Sequence, residues 1–83
     1  MSDQPPTINL SERARELLEY IAQFYAENHY GPTFRQIKEA LGWSTTSLVD
    51  SYVQQLELRG LVTRVPRHPR SLQPTQLAQG VIQ

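Results

Sequence analysis

The stretch Gly31–Gly60, GPTFRQIKEALGWSTTSLVDSYVQQLELRG, decides the fold. Thr33 can cap a helix, and Gln36 stands three residues on in capping-box position. The spacing predicts a helix over about Phe34 to Leu41, with Ile37 and Leu41 on one face. Gly42 ends it, because glycine readily takes the left-handed conformation that a helix C-terminus often needs. Ser44-Thr45-Thr46-Ser47 then offers N-cap chemistry for a second helix, over about Thr46 to Arg59, which stops at Gly60. Val49, Tyr52, Val53 and Leu56 fall at i, i+3, i+4 and i+7 and form one apolar stripe. The other face keeps Ser47, Asp50, Ser51, Gln54 and Gln55, all small or hydrogen-bonding. A helix–turn–helix needs this split: a stripe anchors the second helix, and the opposite face meets base edges.

Upstream, Ser11 can cap a first helix, with Glu12 where a negative charge suits the helix dipole. Ala14, Leu17, Leu18, Ile21 and Tyr25 share a face, and the helix ends near Asn28-His29, before Gly31-Pro32. After Gly60 the period changes. Leu61–Val65 is short, β-branched and alternating, as a strand requires. Pro66–Pro69 reads as a turn, and Arg70–Gln73 as a second short strand packed on the helices. The expected fold is mainly α with a small β-hairpin, a three-helix winged helix–turn–helix over residues 10–73. Residues 1–9 read as a flexible arm and 74–83 as a linker or disordered tail. Leu18, Ile21, Ile37, Leu41, Val49, Val53, Leu56 and Val62 should form the core, with Trp43 packed on the helix pair.

Composition bounds the function. Eighty-three residues suit one small domain. There is no cysteine, hence no disulfide framework and no thiolate metal site. No apolar run approaches ~18 residues, and MSDQPPTINL has neither the basic nor the apolar part of a signal peptide. A soluble cytoplasmic protein, with no membrane partner, is expected. Net charge is zero but polarised: residues 1–30 hold two Arg against five acids, while residues 31–83 hold six Lys or Arg against three acids. From Leu58 onward there are four Arg and no acid, so positive charge follows the second helix of the pair. A local patch of this kind is enough to steer an anionic partner.

The pieces LSERARELLEYI, GPTFRQIKEALGW, VQQLELRGLVTR and RHPRSLQ, in this order, resemble the N-terminal DNA-binding domain of LexA-type repressors from about Leu10 to Gln73. The resemblance rests most on Pro32-Thr33, on Leu41-Gly42 followed by an aromatic, and on Leu56-x-x-Arg59-Gly60. It implies a bacterial repressor of DNA-damage (SOS) genes, nucleoid-associated, that binds palindromic double-stranded operators as a homodimer. The third helix would enter the major groove and the wing would touch phosphates. Base contacts carried over by position fall on Thr45, Ser47, Leu48, Asp50 and Ser51. Thr45-Thr46 stands where the family commonly has Ser-Pro or a similar pair, and the reading residues differ from those of well-known members, so the operator sequence does not carry over. The family's C-terminal half, with its dimer interface and self-cleaving Ser–Lys peptidase, has no counterpart, and Ala78-Gln79-Gly80 is not the Ala-Gly cleavage pair. The sequence is therefore a fragment of a longer repressor or a small protein that reuses the domain.

Several of these residues have two readings. Thr45, Ser47 and Ser51 carry hydroxyls that can meet base edges or phosphate; Thr45 suits capping equally well. Asp50 is either an acceptor for a cytosine N4 amine or a solvated acid paired with Arg59. Leu48 meets a thymine methyl or, preferably, lies at the core edge. Arg64, Arg67, His68 and Arg70 flank the wing turn with no acid nearby in sequence, which suits phosphate contact that sets register and affinity. Thr33, Arg35 and Gln54 are the other expected backbone contacts. No metal-ligand cluster, glycine-rich phosphate loop or catalytic triad is present in the sequence, so neither an enzyme nor a cofactor is expected. The competing function is a winged-helix module for protein–protein interaction that does not bind DNA.

Overall fold

The computed structural model describes residues 10–68 and 70–82, with backbone alone for 81 and 82. The expected N-terminal arm and Pro69 of the wing turn lie outside the described residues. The order is α1 (Glu12–Asn28), α2 (Phe34–Leu41), α3 (Thr46–Leu58), β1 (Val62–Thr63), β2 (Gln73–Pro74) and α4 (Gln76–Ile82).

Each of the three predicted helices starts on the hydroxyl that the sequence offers. Ser11 Oγ accepts from the Ala14 amide at 3.2 Å, and Thr45 Oγ1 from the Leu48 amide at 3.1 Å. Thr33 makes a full capping box: its hydroxyl accepts from the Gln36 amide at 3.1 Å, and its own amide donates to Gln36 Oε1 at 2.9 Å. A cap of this type contributes about 1 kcal/mol. Gly42 closes α2 at φ 71°, with its amide and that of Trp43 both donating to the Lys38 carbonyl. His29 closes α1 in the same left-handed region, at φ 66°, without the freedom of glycine.

The core is built as the periodicity requires. Ala14, Leu17, Leu18 and Ile21 of α1 meet Ile37 of α2 and Val49, Val53 and Leu56 of α3. Leu41 is only half-buried and packs at the core's edge. Trp43 is buried and packs against Tyr52 in a tilted pair, ring centroids 5.3 Å apart, with the Arg13 guanidinium 5.8 Å from the indole centroid. Leu61, Val62, Leu72 and Ala78 complete the core from the wing and α4. Tyr20, Phe24 and Tyr30 form an aromatic row beside it, and burial pushes the Tyr20 phenol above its usual pKa.

The C-terminal part departs from the sequence reading in two places. The second strand is Gln73–Pro74, not Arg70–Gln73; β1 and β2 pair antiparallel as Val62 with Pro74 and Thr63 with Gln73. Arg70 and Ser71 are instead spent on turns, the Ser71 amide donating to the His68 carbonyl at 3.1 Å. Residues 76–82, read as linker or disordered tail, form α4. Its single buried side chain among those described, Ala78, is too small to announce an amphipathic helix. Thr75 anchors it: Oγ1 donates to the Gly60 carbonyl at 2.7 Å and the amide to the Leu61 carbonyl at 3.0 Å.

Candidate nucleic-acid interface

The stripe Val49, Val53 and Leu56 turns α3 inward, which leaves Ser47, Ser51, Gln54, Gln55 and Leu58 exposed along its outer side. Thr45 stands at the head of this ridge, exposed, its hydroxyl oxygen already accepting the cap bond from Leu48. Leu48 is half-buried and packs against the core, the preferred of its two sequence readings.

Asp50 is half-exposed and ion-paired. Its partner is Arg64 of the wing, not Arg59: Arg64 Nη2 lies 3.5 Å from Oδ1, while Gln54 Nε2 donates to Oδ2 at 3.3 Å. Arg64 Nε also donates to Glu57 Oε2 at 3.1 Å, and its guanidinium lies 5.4 Å from the Phe34 ring centroid. The expectation that the wing cations have no acid nearby therefore fails for Arg64. Two acids of α3, Asp50 and Glu57, about two turns apart on the same side, reach it across space although none follows Leu58 in sequence.

The other wing cations are differently placed. The turn Val65–His68 is closed by the His68 amide on the Val65 carbonyl at 3.1 Å. Pro66 and Arg67 are its central residues, and Arg67 holds φ 71°. That is a type II pattern, whose third position favours glycine. Arg67 and His68 are exposed at the tip, where no ion pair holds either of them among the described residues. Arg70 stacks over Tyr30, 5.0 Å from the ring centroid. Arg35 projects from α2 and pairs with Glu39 at 3.5 Å, both well exposed, so the pair is weak and readily exchanged. Thr33 is least available, since its hydroxyl is committed to the capping box.

Sequence reasoning missed the residues that hold the wing in place. Ser71 Oγ accepts from the Val65 amide at 2.8 Å and faces the carbonyls of His68, at 2.7 Å, and Val65, at 3.1 Å. The Gly31 amide donates to the Arg70 carbonyl at 3.0 Å, tying the α1–α2 loop to the returning wing. A hollow of about 550 Å³ opens between the wing and the start of α2, with Phe34, Val65 and Leu72 among its walls. No group of three or more His, Cys, Asp or Glu side chains among the described residues is gathered to hold a metal. No helix of the described residues is long and apolar enough to cross a membrane.

Three helices with a two-stranded wing, the second helix of the pair turned outward beside that wing, define a winged helix–turn–helix protein. The sequence profile described as LexA DNA binding domain matches residues 7–71, and the chain belongs to that family. It is 40% identical over 73 residues to a LexA repressor of Anaeromyxobacter sp. (strain Fw109-5), covering 88% of this chain and 32% of the relative. It is 38% identical over 64 residues to the LexA repressor of Ligilactobacillus salivarius (strain UCC118), covering 77% and 31%. It is 36% identical over 69 residues to that of Pediococcus pentosaceus (strain ATCC 25745 / CCUG 21536 / LMG 10740 / 183-1w), covering 83% and 33%. The chain thus spans about a third of the length of these relatives.

Proposed function

We propose that this chain is the operator-reading domain of a LexA-type transcriptional repressor of the DNA-damage (SOS) response. It acts in the bacterial cytoplasm on nucleoid DNA and carries no catalytic step itself. The observation that carries this reading is the uncovered outer side of α3, headed by Thr45 and Ser47 and flanked by the exposed wing cations. In this reading α3 lies in the major groove. Thr45, Ser47 and Ser51 offer hydroxyls to base edges, Asp50 accepts from a cytosine amine, and Leu48 borders a thymine methyl. Arg67, His68 and Arg70 meet phosphates on one side of the groove, and Arg35 with the start of α2 at Thr33 meets them on the other; Gln54 lies farther along. Two copies on a palindromic operator place two such helices in successive major grooves.

Few phosphates are neutralised by one copy, so binding is weak and salt-sensitive. Anisotropy titration with random-sequence duplexes at two salt concentrations, followed by selection and sequencing of the bound pool, tests the reading. Enrichment of a short two-fold-symmetric motif is the expected result. Absence of binding even at low salt would sink it, and would leave the wing and α3 as a surface for a protein partner.

A further inference from the structure

We propose that Arg64 of the wing is a specificity-determining residue that acts through Asp50, as a strut that orients the carboxylate on the reading face. This rests on the proposed DNA-reading function.

The geometry carries the inference. Arg64 is the one wing cation turned in toward α3 instead of out to solvent: it is half-buried, whereas Arg67, His68 and Arg70 are exposed. Three contacts from two helices fix it: Asp50, Glu57 and the ring of Phe34. A guanidinium is a rigid planar fork, so fixing its Nε on Glu57 and its plane beside Phe34 also fixes where Nη2 points. It points at Asp50 Oδ1, while Gln54 holds Oδ2. Each carboxylate oxygen then has one donor, and its second acceptor site stays open.

Two consequences follow for Asp50. A bare carboxylate aimed at DNA repels phosphate; one beside a guanidinium has that charge offset. A freely turning carboxylate accepts from any amine in reach; one held at both oxygens presents its open sites in fixed directions. Arg64 thus converts an electrostatic liability into a directional acceptor, and a residue of the phosphate-facing wing sets base preference. Glu57, at the edge of the ridge, acts one step further back by holding Arg64.

The test measures affinity of the wild-type chain and of Asp50→Asn, Arg64→Gln and Glu57→Gln variants. Each is titrated against the selected duplex, its single-base-pair variants and a salt series, with thermal unfolding as the folding check. Asp50→Asn identifies the base pair that Asp50 reads. Arg64→Gln and Glu57→Gln should both reduce discrimination at that same base pair, by roughly five- to tenfold, and should add little in an Asp50→Asn background. Glu57→Gln is decisive, because it leaves every cation in place. If Arg64 were instead a phosphate contact, Glu57→Gln would leave discrimination intact, and Arg64→Gln would weaken all duplexes alike and lower the salt slope by about one unit. That outcome overturns the proposal, as does unchanged base preference in Asp50→Asn. Failure of the wild-type chain to bind any duplex would instead overturn the DNA-reading function.

Discussion

Gly31 packs so closely against the backbone of Leu72 that a Cβ at Gly31 would overlap the Leu72 carbonyl oxygen. The obstacle is backbone, reinforced by the hydrogen bond from the Gly31 amide to Arg70, so neither side can turn aside as a flexible side chain would. Gly31→Ala is therefore expected to displace the returning wing strand and destabilise the fold by more than about 2 kcal/mol. Urea unfolding checks this; a loss under 0.5 kcal/mol would mean that the loop and wing move apart at little cost.

Gly42 makes a controlled comparison. It has the left-handed φ of 71°, yet a Cβ there meets nothing within 4 Å. Gly42→Ala should cost about 1 kcal/mol, from backbone strain alone. The two substitutions separate crowding from conformation, and Gly42→Asn, which tolerates this region, should recover part of the loss at Gly42 only.

Ser71→Ala removes the hydroxyl that joins Val65 and His68 across the wing turn. The expected cost is about 1 kcal/mol, concentrated locally. Amide hydrogen exchange should show faster exchange at Val65 with the α1 core amides unchanged. Equal acceleration throughout would mean that the wing and helices open as one unit.

Thr75→Ala should release α4. Its hydroxyl is the side-chain link between the α4 entry and the Gly60 turn, and its loss is expected to lower stability by about 1 kcal/mol. Rapid exchange at Ala78, whose amide donates to the Thr75 carbonyl, would mark the detachment. Retained protection there would show that burial of Ala78 holds the helix without the Thr75 hydroxyl.

Arg67→Ala and Arg70→Ala should each weaken binding to all duplexes by a similar factor and lower the salt slope by about one unit. Arg67→Gly should do the same to binding, yet raise thermal stability slightly, because glycine relieves the positive φ at that turn position. A change in base preference in any of these variants would move Arg67 or Arg70 from phosphate contact to base readout.

Much of the fold was legible because its signals are local. A capping hydroxyl, an i, i+3, i+4, i+7 stripe and a glycine at a helix end each lie within about two helical turns, and Thr33, Val49–Leu56 and Gly42 took the places they predict. The outer side of α3 follows from the same stripe, since burying Val49, Val53 and Leu56 leaves Ser47, Ser51 and Gln54 outside. The family resemblance was legible for the same reason: its motifs are short and keep their order.

Tertiary structure alone decided what depends on distant partners. Strand register is set by pairing across the wing, so β2 settled on Gln73–Pro74 although Arg70–Gln73 is as good a strand by composition. The tail became α4 because the first turn after Gly60 offers carbonyls to Thr75, which no local pattern announces. Arg64 looked like a free cation because no acid follows Leu58, yet it faces Asp50 and Glu57 once the wing folds back on α3. Sequence determined which residues are helical and which face is exposed, because those follow from periodicity and caps. Only the packed structure decided which charges meet, because a salt bridge spanning 14 positions, such as Arg64 to Asp50, exists only where the chain returns on itself.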